Sequence, residues 1–266
     1  MSGNRRFEGN AGFVTGGGSG IGLACARAIV AGGGRVTICG RRRDVLQKAV
    51  DELGDRAHWV VCDVTDDGQV VAAVAAAVER HGPLRVAVNA AGVGAGGSVL
   101  AMPVTDFRLT LESNLIGLFR CLQAEARAIK AAGGGSIVNV SSIAGALTHR
   151  WMSAYCASKA GVNMLTRVAA DELGEHGIRV NAVMPGLVDT ELAALLTGSE
   201  IARQEYLRLM PVSRIGKPVD VGQLVGFLLS DEASWITGQC IGVDGGHTVR
   251  QGPDLVPLFR QFLPEE

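Results

Sequence analysis

Apolar positions along this chain fall into short runs that barely alternate, separated by longer stretches with helical spacing. The runs at Gly12–Thr15, Arg35–Gly40, Ala57–Cys62, Arg85–Asn89, Ser136–Val140, Arg179–Met184 and Cys240–Val243 are rich in Val and Ile. Strands buried on both faces have this character, because neither side meets water. Between the runs, helical periodicity covers Gly20–Ala31, Asp44–Leu53, Asp67–Arg80, Thr105–Ala132, Ser153–His176 and Val219–Leu229. The alternation predicts an α/β fold: a single Rossmann-like doubly wound domain, with a seven-stranded parallel sheet and helices on both faces. No linker or shift of composition divides residues 1–266. Two segments break the rhythm. Residues 190–213 carry Leu192, Leu195, Leu196, Ile201, Tyr206, Leu207 and Met210 at roughly helical spacing after a strand end, as a substrate lid would. The tail, residues 251–266, carries Leu255, Val256, Leu258, Phe259, Phe262 and Leu263, and is expected to pack on its own domain or on another subunit.

Composition narrows the function. A chain of 266 residues, 47% hydrophobic and 19% charged, suits one large globular domain. A formal net charge of −1 supplies no field to gather nucleic acid or anionic membrane, so neither is an expected partner. The 37 Gly cluster at 16–20, 32–34, 92–97 and 133–135, where turns and close backbone approaches fall. The six Cys make no C-x-x-C and none stands near a His at metal-ligand spacing. No metal is expected, and reduced thiols point to the cytoplasm. The first residues lack the apolar stretch of a secretory leader, and no apolar run of about 18 residues occurs.

Chemistry enters at the first strand. Thr15-Gly-Gly-Gly-Ser-Gly-Ile-Gly22 follows that strand and opens the first helix. Gly16, Gly20 and Gly22 let the backbone approach a pyrophosphate, and the helix start offers free N–H groups to it. A G-x-G-x-x-G run at Gly92, Gly94 and Gly97 follows the fourth strand instead and is a decoy for that role. The Asn139-Val140-Ser141 sequon is another, set on a buried strand. At the end of the second strand, Cys39-Gly40-Arg41-Arg42-Arg43 has no carboxylate for a ribose diol. Arg41 offers a planar fork for a 2′-phosphate, so NADP(H) is favoured, with NAD(H) possible. Further on, Tyr155 and Lys159 stand one helical turn apart on one face. A nearby ammonium favours the phenolate, which suits an acid/base for carbonyl–alcohol interconversion.

Taken in order, these motifs resemble the short-chain dehydrogenase/reductase family over roughly residues 9–249. Thr15–Gly22 looks like its cofactor loop, with Gly16, Ser19, Gly20, Ile21 and Gly22 as contacts. Asp63-Val64 resembles the pair that holds the adenine. Asn89-Ala-Ala-Gly92 resembles the family's Asn-Asn-Ala-Gly run, with Ala90 as a departure and Asn89, Ala91 and Gly92 carried over as cofactor contacts. Asn114 and Ser142 match the active-site Asn and Ser, and Ser142 stands thirteen residues before Tyr155. Pro185, Val188 and Thr190 match the segment gripping the carboxamide, while Arg214–Pro218 and Val243–Gly246 match later signatures. The resemblance implies that Ser142 polarises the substrate oxygen, Tyr155 moves the proton, Lys159 lowers the Tyr pKa and holds the ribose, and Asn114 keeps a relay water. It implies a small-molecule carbonyl or alcohol substrate. It also implies a homotetramer or dimer through the two long helices, where Ala124, Ala126, Ala128, Ala157, Ala160 and Gly161 would permit close approach. The alternative from another class is a cofactor-binding sensor or scaffold without turnover. Within enzymes, a 3-oxoacyl thioester reductase stands against a dehydrogenase of a sugar, steroid or other secondary alcohol. Val93–Gly97, Ile143–Met152 and the lid are expected to wall the substrate. His149 is read as a surface or subunit-contact residue and Trp151 as a packed ring.

Overall fold

A computed structural model describes residues 6–94 and 96–250, so the apolar tail lies outside the described residues. Seven parallel strands form one sheet in the order β3-β2-β1-β4-β5-β6-β7. They are β1 Ala11–Thr15, β2 Arg35–Gly40, β3 Ala57–Val61, β4 Leu84–Asn89, β5 Gly135–Val140, β6 Ile178–Pro185 and β7 Cys240–Val243. Successive side chains on a strand point to opposite faces, and both faces are covered. On β1, Phe13 enters the core under α3 (Asp67–His81), α5 (Gly117–Ala131) and α6 (Ser153–Gly174), whereas Val14 enters the core under α1 (Gly20–Ala31), α2 (Arg43–Leu53) and α9 (Pro218–Leu229). Fully buried Ile29, Ile38 and Leu228 fill one layer, and Ile129, Ile137 and Ile178 the other.

Local chemistry fixes where the helices begin. Asp66 caps α3 by accepting from the Gln69 amide at 3.0 Å. Pro218 opens α9, where its missing N–H costs nothing, and Asp220 Oδ2 accepts from the Lys217 amide at 2.7 Å. Strand order reverses between β1 and β4, so a crevice opens at their carboxyl ends, where sheets of this kind bind ligands. The Thr15 hydroxyl ties the two strand ends together by accepting from the Ala90 and Ala91 amides at 3.1 and 3.2 Å.

Two elements differ from the sequence expectation. The helix expected over Thr105–Ala132 is interrupted: α4 spans Val104–Leu111, a π turn occupies Glu112–Ile116, and α5 follows. Hydrophobic spacing tolerates such a turn, and the side-chain bonds of Asn114 described below occupy it. The lid segment is a 3₁₀ turn (Glu191–Ala193), a four-residue helix α7 (Ala194–Thr197) and α8 (Glu200–Leu209), and neither helix buries a residue fully. Met210, just beyond α8, is its buried anchor. Among the described residues no helix is long and apolar enough to cross a membrane.

Candidate active site

A cavity of about 720 Å³ runs along the crevice, within the usual range for small-molecule sites. Its floor is the turn from β1 into α1. Gly16 adopts φ +63°, and a Cβ there would stand 2.9 Å from Ala90 O and Ala91 N. At Gly22 a Cβ would run into the Gly16 carbonyl, lying 2.7 Å from its carbon. Ser19, the N-cap of α1, makes no side-chain capping bond, and no acidic residue sits in the first turn. The first amides of α1 therefore keep their donors for an anion, and the glycines leave the space a phosphate needs. These residues fit a dinucleotide.

The remaining cofactor residues expected from sequence line the same cavity, with one exception: Ser19, Gly20, Ile21, Arg41, Asp63, Val64, Ala91, Gly92, Pro185, Val188 and Thr190 are all on its wall. Asp63 Oδ1 is occupied by the Thr65 amide and hydroxyl, at 3.0 and 2.9 Å. The exception is Asn89. It is 1% exposed and off the cavity wall, and its Nδ2 donates to Glu125 Oε2 at 2.8 Å and Asn139 Oδ1 at 3.1 Å. Strand alternation turns the Asn89 side chain away from the cavity into the layer beneath α5, where it bonds one oxygen of a buried carboxyl. The sequon residue Asn139 is fully buried there too, donating to Thr166 Oγ1 at 2.9 Å.

That carboxyl has a consequence for stability. Burial pushes Glu125 up to about 8 against the pull of Asn89, and its Oε1 has no partner. The folded chain then holds a proton that the unfolded chain releases near 4.5. The stability contributed is complete below that value and is lost as pH rises through about 8. Unfolding free energy by denaturant titration is expected to fall on the order of 4 kcal/mol more between pH 5 and 8.5 than in Glu125→Gln. Parallel profiles for the two proteins would refute the assignment.

The proton-handling residues meet at the middle of the cavity. Ser142 follows β5, and its Oγ accepts from the Ala144 amide at 3.1 Å, so it also caps a 3₁₀ turn. Tyr155 and Lys159 project from the first turns of α6 onto the cavity wall. Lys159 is 5% exposed, lies 5.7 Å from the Tyr155 ring centre, and donates to Val140 O at 2.9 Å. Sequence reasoning expects Lys159 to depress the Tyr155 pKa. Here burial raises it, and the Ser142 hydroxyl works against that rise by bonding the phenol. Burial also pulls Lys159 down to about 8, which weakens the charge meant to act on the phenol.

Asn114 sits in the π turn, fully buried behind the wall. Its Oδ1 accepts from the Val93 amide at 2.7 Å, and its Nδ2 donates to Val93 O at 2.9 Å and Ser158 Oγ at 3.3 Å. A Cβ on Gly92 would lie 3.1 Å from Asn114 Oδ1 and 3.9 Å from Lys159 Nζ. Asn114 thus shapes the strand end that separates it from Lys159.

The substrate wall holds Val93, Gly94, Ile143, Ala144, His149, Met152, Leu192, Leu196 and Tyr206. His149 belongs to the cavity, contrary to the surface reading, and Trp151 is 66% exposed at φ +69°, contrary to the packed one. One feature left no sequence signal. Arg42, at the end of β2, forms a bidentate pair with Glu191 at 2.7 Å, joining the lid to the cofactor side across 149 residues. Gly161 packs on Leu115 of its own chain, where a Cβ would meet Cδ2 at 2.8 Å, so its smallness is used internally.

The family profile described as "Enoyl-(Acyl carrier protein) reductase", one of the short-chain dehydrogenase/reductase group, matches residues 16–248. The chain is 38% identical over 247 residues to galactitol 2-dehydrogenase (L-tagatose-forming) of Cereibacter sphaeroides, covering 92% of this chain and 97% of that one. It is 38% identical over 244 residues to a 3-oxoacyl-[acyl-carrier-protein] reductase of Thermotoga maritima, covering 91% and 98%. A solved short-chain type dehydrogenase/reductase from Mycobacterium ulcerans superposes with a TM-score of 0.89 at 40% identity, covering 96% of each chain. With the glycine turn, the Ser–Tyr–Lys cluster and this match spanning most of its length, the chain belongs to the short-chain dehydrogenase/reductase family and is an oxidoreductase of that type.

Proposed function

We propose that the chain is an NADP(H)-preferring oxidoreductase that interconverts a carbonyl and a secondary alcohol, with Tyr155 as general acid/base. The observation carrying this reading is that Ser142, Tyr155 and Lys159 share one cavity with the glycine turn. A nicotinamide cofactor held there supplies the hydride acceptor or donor. Ser142 donates to the substrate oxygen and steadies charge developing on it. Tyr155 takes the hydroxyl proton in oxidation and returns it in reduction. Lys159 orients the ribose and keeps a positive charge against the phenolate as it forms, and Asn114 holds the strand end and a relay water behind it. Pro185, Val188 and Thr190 support the carboxamide side. Leu192, Leu196 and Met152 exclude water from the reacting carbon.

Cofactor preference rests on Arg41. Arg42 is committed to Glu191, and the Arg43 guanidinium lies 5.3 Å over the Trp59 ring. Among the described residues Arg41 alone of the three has no such partner, and it lines the cavity beside Gly40. It is the guanidinium available to a 2′-phosphate. Arg41→Ala is expected to raise the Kd for NADPH about tenfold or more while leaving NADH within about twofold, read by fluorescence titration. Equal losses for both cofactors would remove the argument.

A homo-oligomer, tetramer or dimer, is part of this reading. Ile116 at the end of the π turn, Phe119 in the first turn of α5, and Met164 and Val168 on α6 are exposed apolar side chains along the two segments expected to pair. The six free thiols fit a reducing compartment such as the cytoplasm.

A further inference from the structure

Three rings from distant parts of the chain meet at the substrate end of the cavity. His149 comes from the loop before α6, Tyr206 from lid helix α8, and His247 from the segment after β7. Tyr206 and His247 meet edge-on with centres 5.6 Å apart, and His149 is 6.2 Å from each. His149 and Tyr206 line the cavity, and His247 is 7% exposed behind them. The Tyr206 phenol lies within electrostatic range of Tyr155.

Their hydrogen-bonding capacity is unspent. The His149 Nδ1 lies 3.3 Å from Leu147 O; the tautomer that donates there leaves Nε2 as an acceptor. Among the described residues the buried His247 Nδ1 has no hydrogen-bond partner, while His149 and Tyr206 line the open cavity, where a ligand can reach Nε2 and the phenol hydroxyl. A buried polar atom without a partner is costly unless a ligand or water completes it, which holds here for His247 Nδ1. The site also lacks charge. Among the described residues, Arg41, Arg42 and Lys159 are the cations on the cavity wall, and the first two belong to the cofactor end. Burial lowers the His247 pKa, and the neighbouring His149 adds to that against the pull of Asp244.

We propose that Tyr206 and His149, backed by His247, form a second recognition point for the substrate, taking a hydroxyl carried near the reacting carbon of a neutral polyol or hydroxy ketone. This rests on the hydride-transfer reading above and names its substrate class. An acyl chain would leave these polar atoms unpaired, and among the described residues a carboxylate at this end would find no cation of the cavity wall other than Lys159, which stands beside Tyr155. Tyr206 discriminates by pairing its hydroxyl with the substrate's. A site built this way rejects an analogue that lacks the group far more strongly than a hydrophobic pocket rejects an extra one.

The test compares kcat/KM for cyclohexanol, cyclohexane-1,2-diol, cyclohexane-1,4-diol and 4-hydroxycyclohexanecarboxylate. In the wild type at least one diol is expected to exceed cyclohexanol by about tenfold or more. Tyr206→Phe, which keeps the ring stack and the lid, is expected to cut that ratio at least about fivefold, and His149→Gln to retain more of it than His149→Leu. A wild-type ratio near one, or a ratio that Tyr206→Phe leaves intact, overturns the inference while hydride transfer stands. Preference for the carboxylate over both diols overturns the neutral substrate. Absence of turnover with every alcohol, although cofactor binds, sinks the hydride-transfer reading and this inference with it.

Discussion

Tyr155→Phe is expected to lose about three orders of magnitude in kcat while binding cofactor within about threefold of the wild type. The substitution removes one oxygen and keeps the ring beside Lys159, so the packing at the head of α6 survives. What disappears is the hydroxyl that Ser142 bonds, the group proposed to exchange the proton with substrate. Without it, alkoxide and proton must part to solvent in a pocket that burial has already made hostile to charge, as the raised phenol and lowered ammonium both record. Steady-state oxidation of an accepted alcohol measures the loss, and fluorescence titration measures the cofactor. A kcat within tenfold of wild type would dismiss Tyr155 as the acid/base. Unchanged kcat would also reopen the possibility that the cavity merely senses the cofactor.

Gly22→Ala is expected to raise the Kd of either dinucleotide about a hundredfold, or ~3 kcal/mol, with the sheet intact by circular dichroism. The added methyl enters the Gly16 carbonyl, which is backbone and cannot swing aside. Gly16 is itself pinned from behind, its own Cβ direction closed by Ala90 O and Ala91 N. The turn can yield only outward, into the volume where the phosphates must sit. Binding within a few-fold of wild type would mean that the turn has slack the structure does not show.

How much of this was legible beforehand follows from how local each cause is. β2 and α1 have the ends that propensity and punctuation assign, since Gly, Arg and the cofactor turn mark them in the chain itself. The parallel sense of the strands follows from the alternation of run and helix, whereas their order is a property of the folded sheet. The direction of the Asn89 side chain is not legible in the sequence, because it depends on register and the same Asn can serve a ligand or a buried Glu125. The Arg42–Glu191 pair and the His149–Tyr206–His247 cluster join residues far apart in the chain, so no spacing announces them. Lys159 was legible as a neighbour of Tyr155, but the direction of the phenol's shift was not, because burial is a property of the finished fold.

The π turn at Glu112–Ile116 holds one residue more than an α-helical path would need. Each residue advances a helix by about 100°. The extra residue therefore acts as a phase setter: it rotates α5 relative to α4 by roughly that angle. The stripe of Cys121, Leu122, Glu125, Ala126 and Ile129 faces the sheet only because of this rotation. Deleting any one residue of the turn would swing that stripe toward solvent and Arg127 and Lys130 toward the sheet, so the bulge that aims Asn114 is also the device that keeps half the core in register.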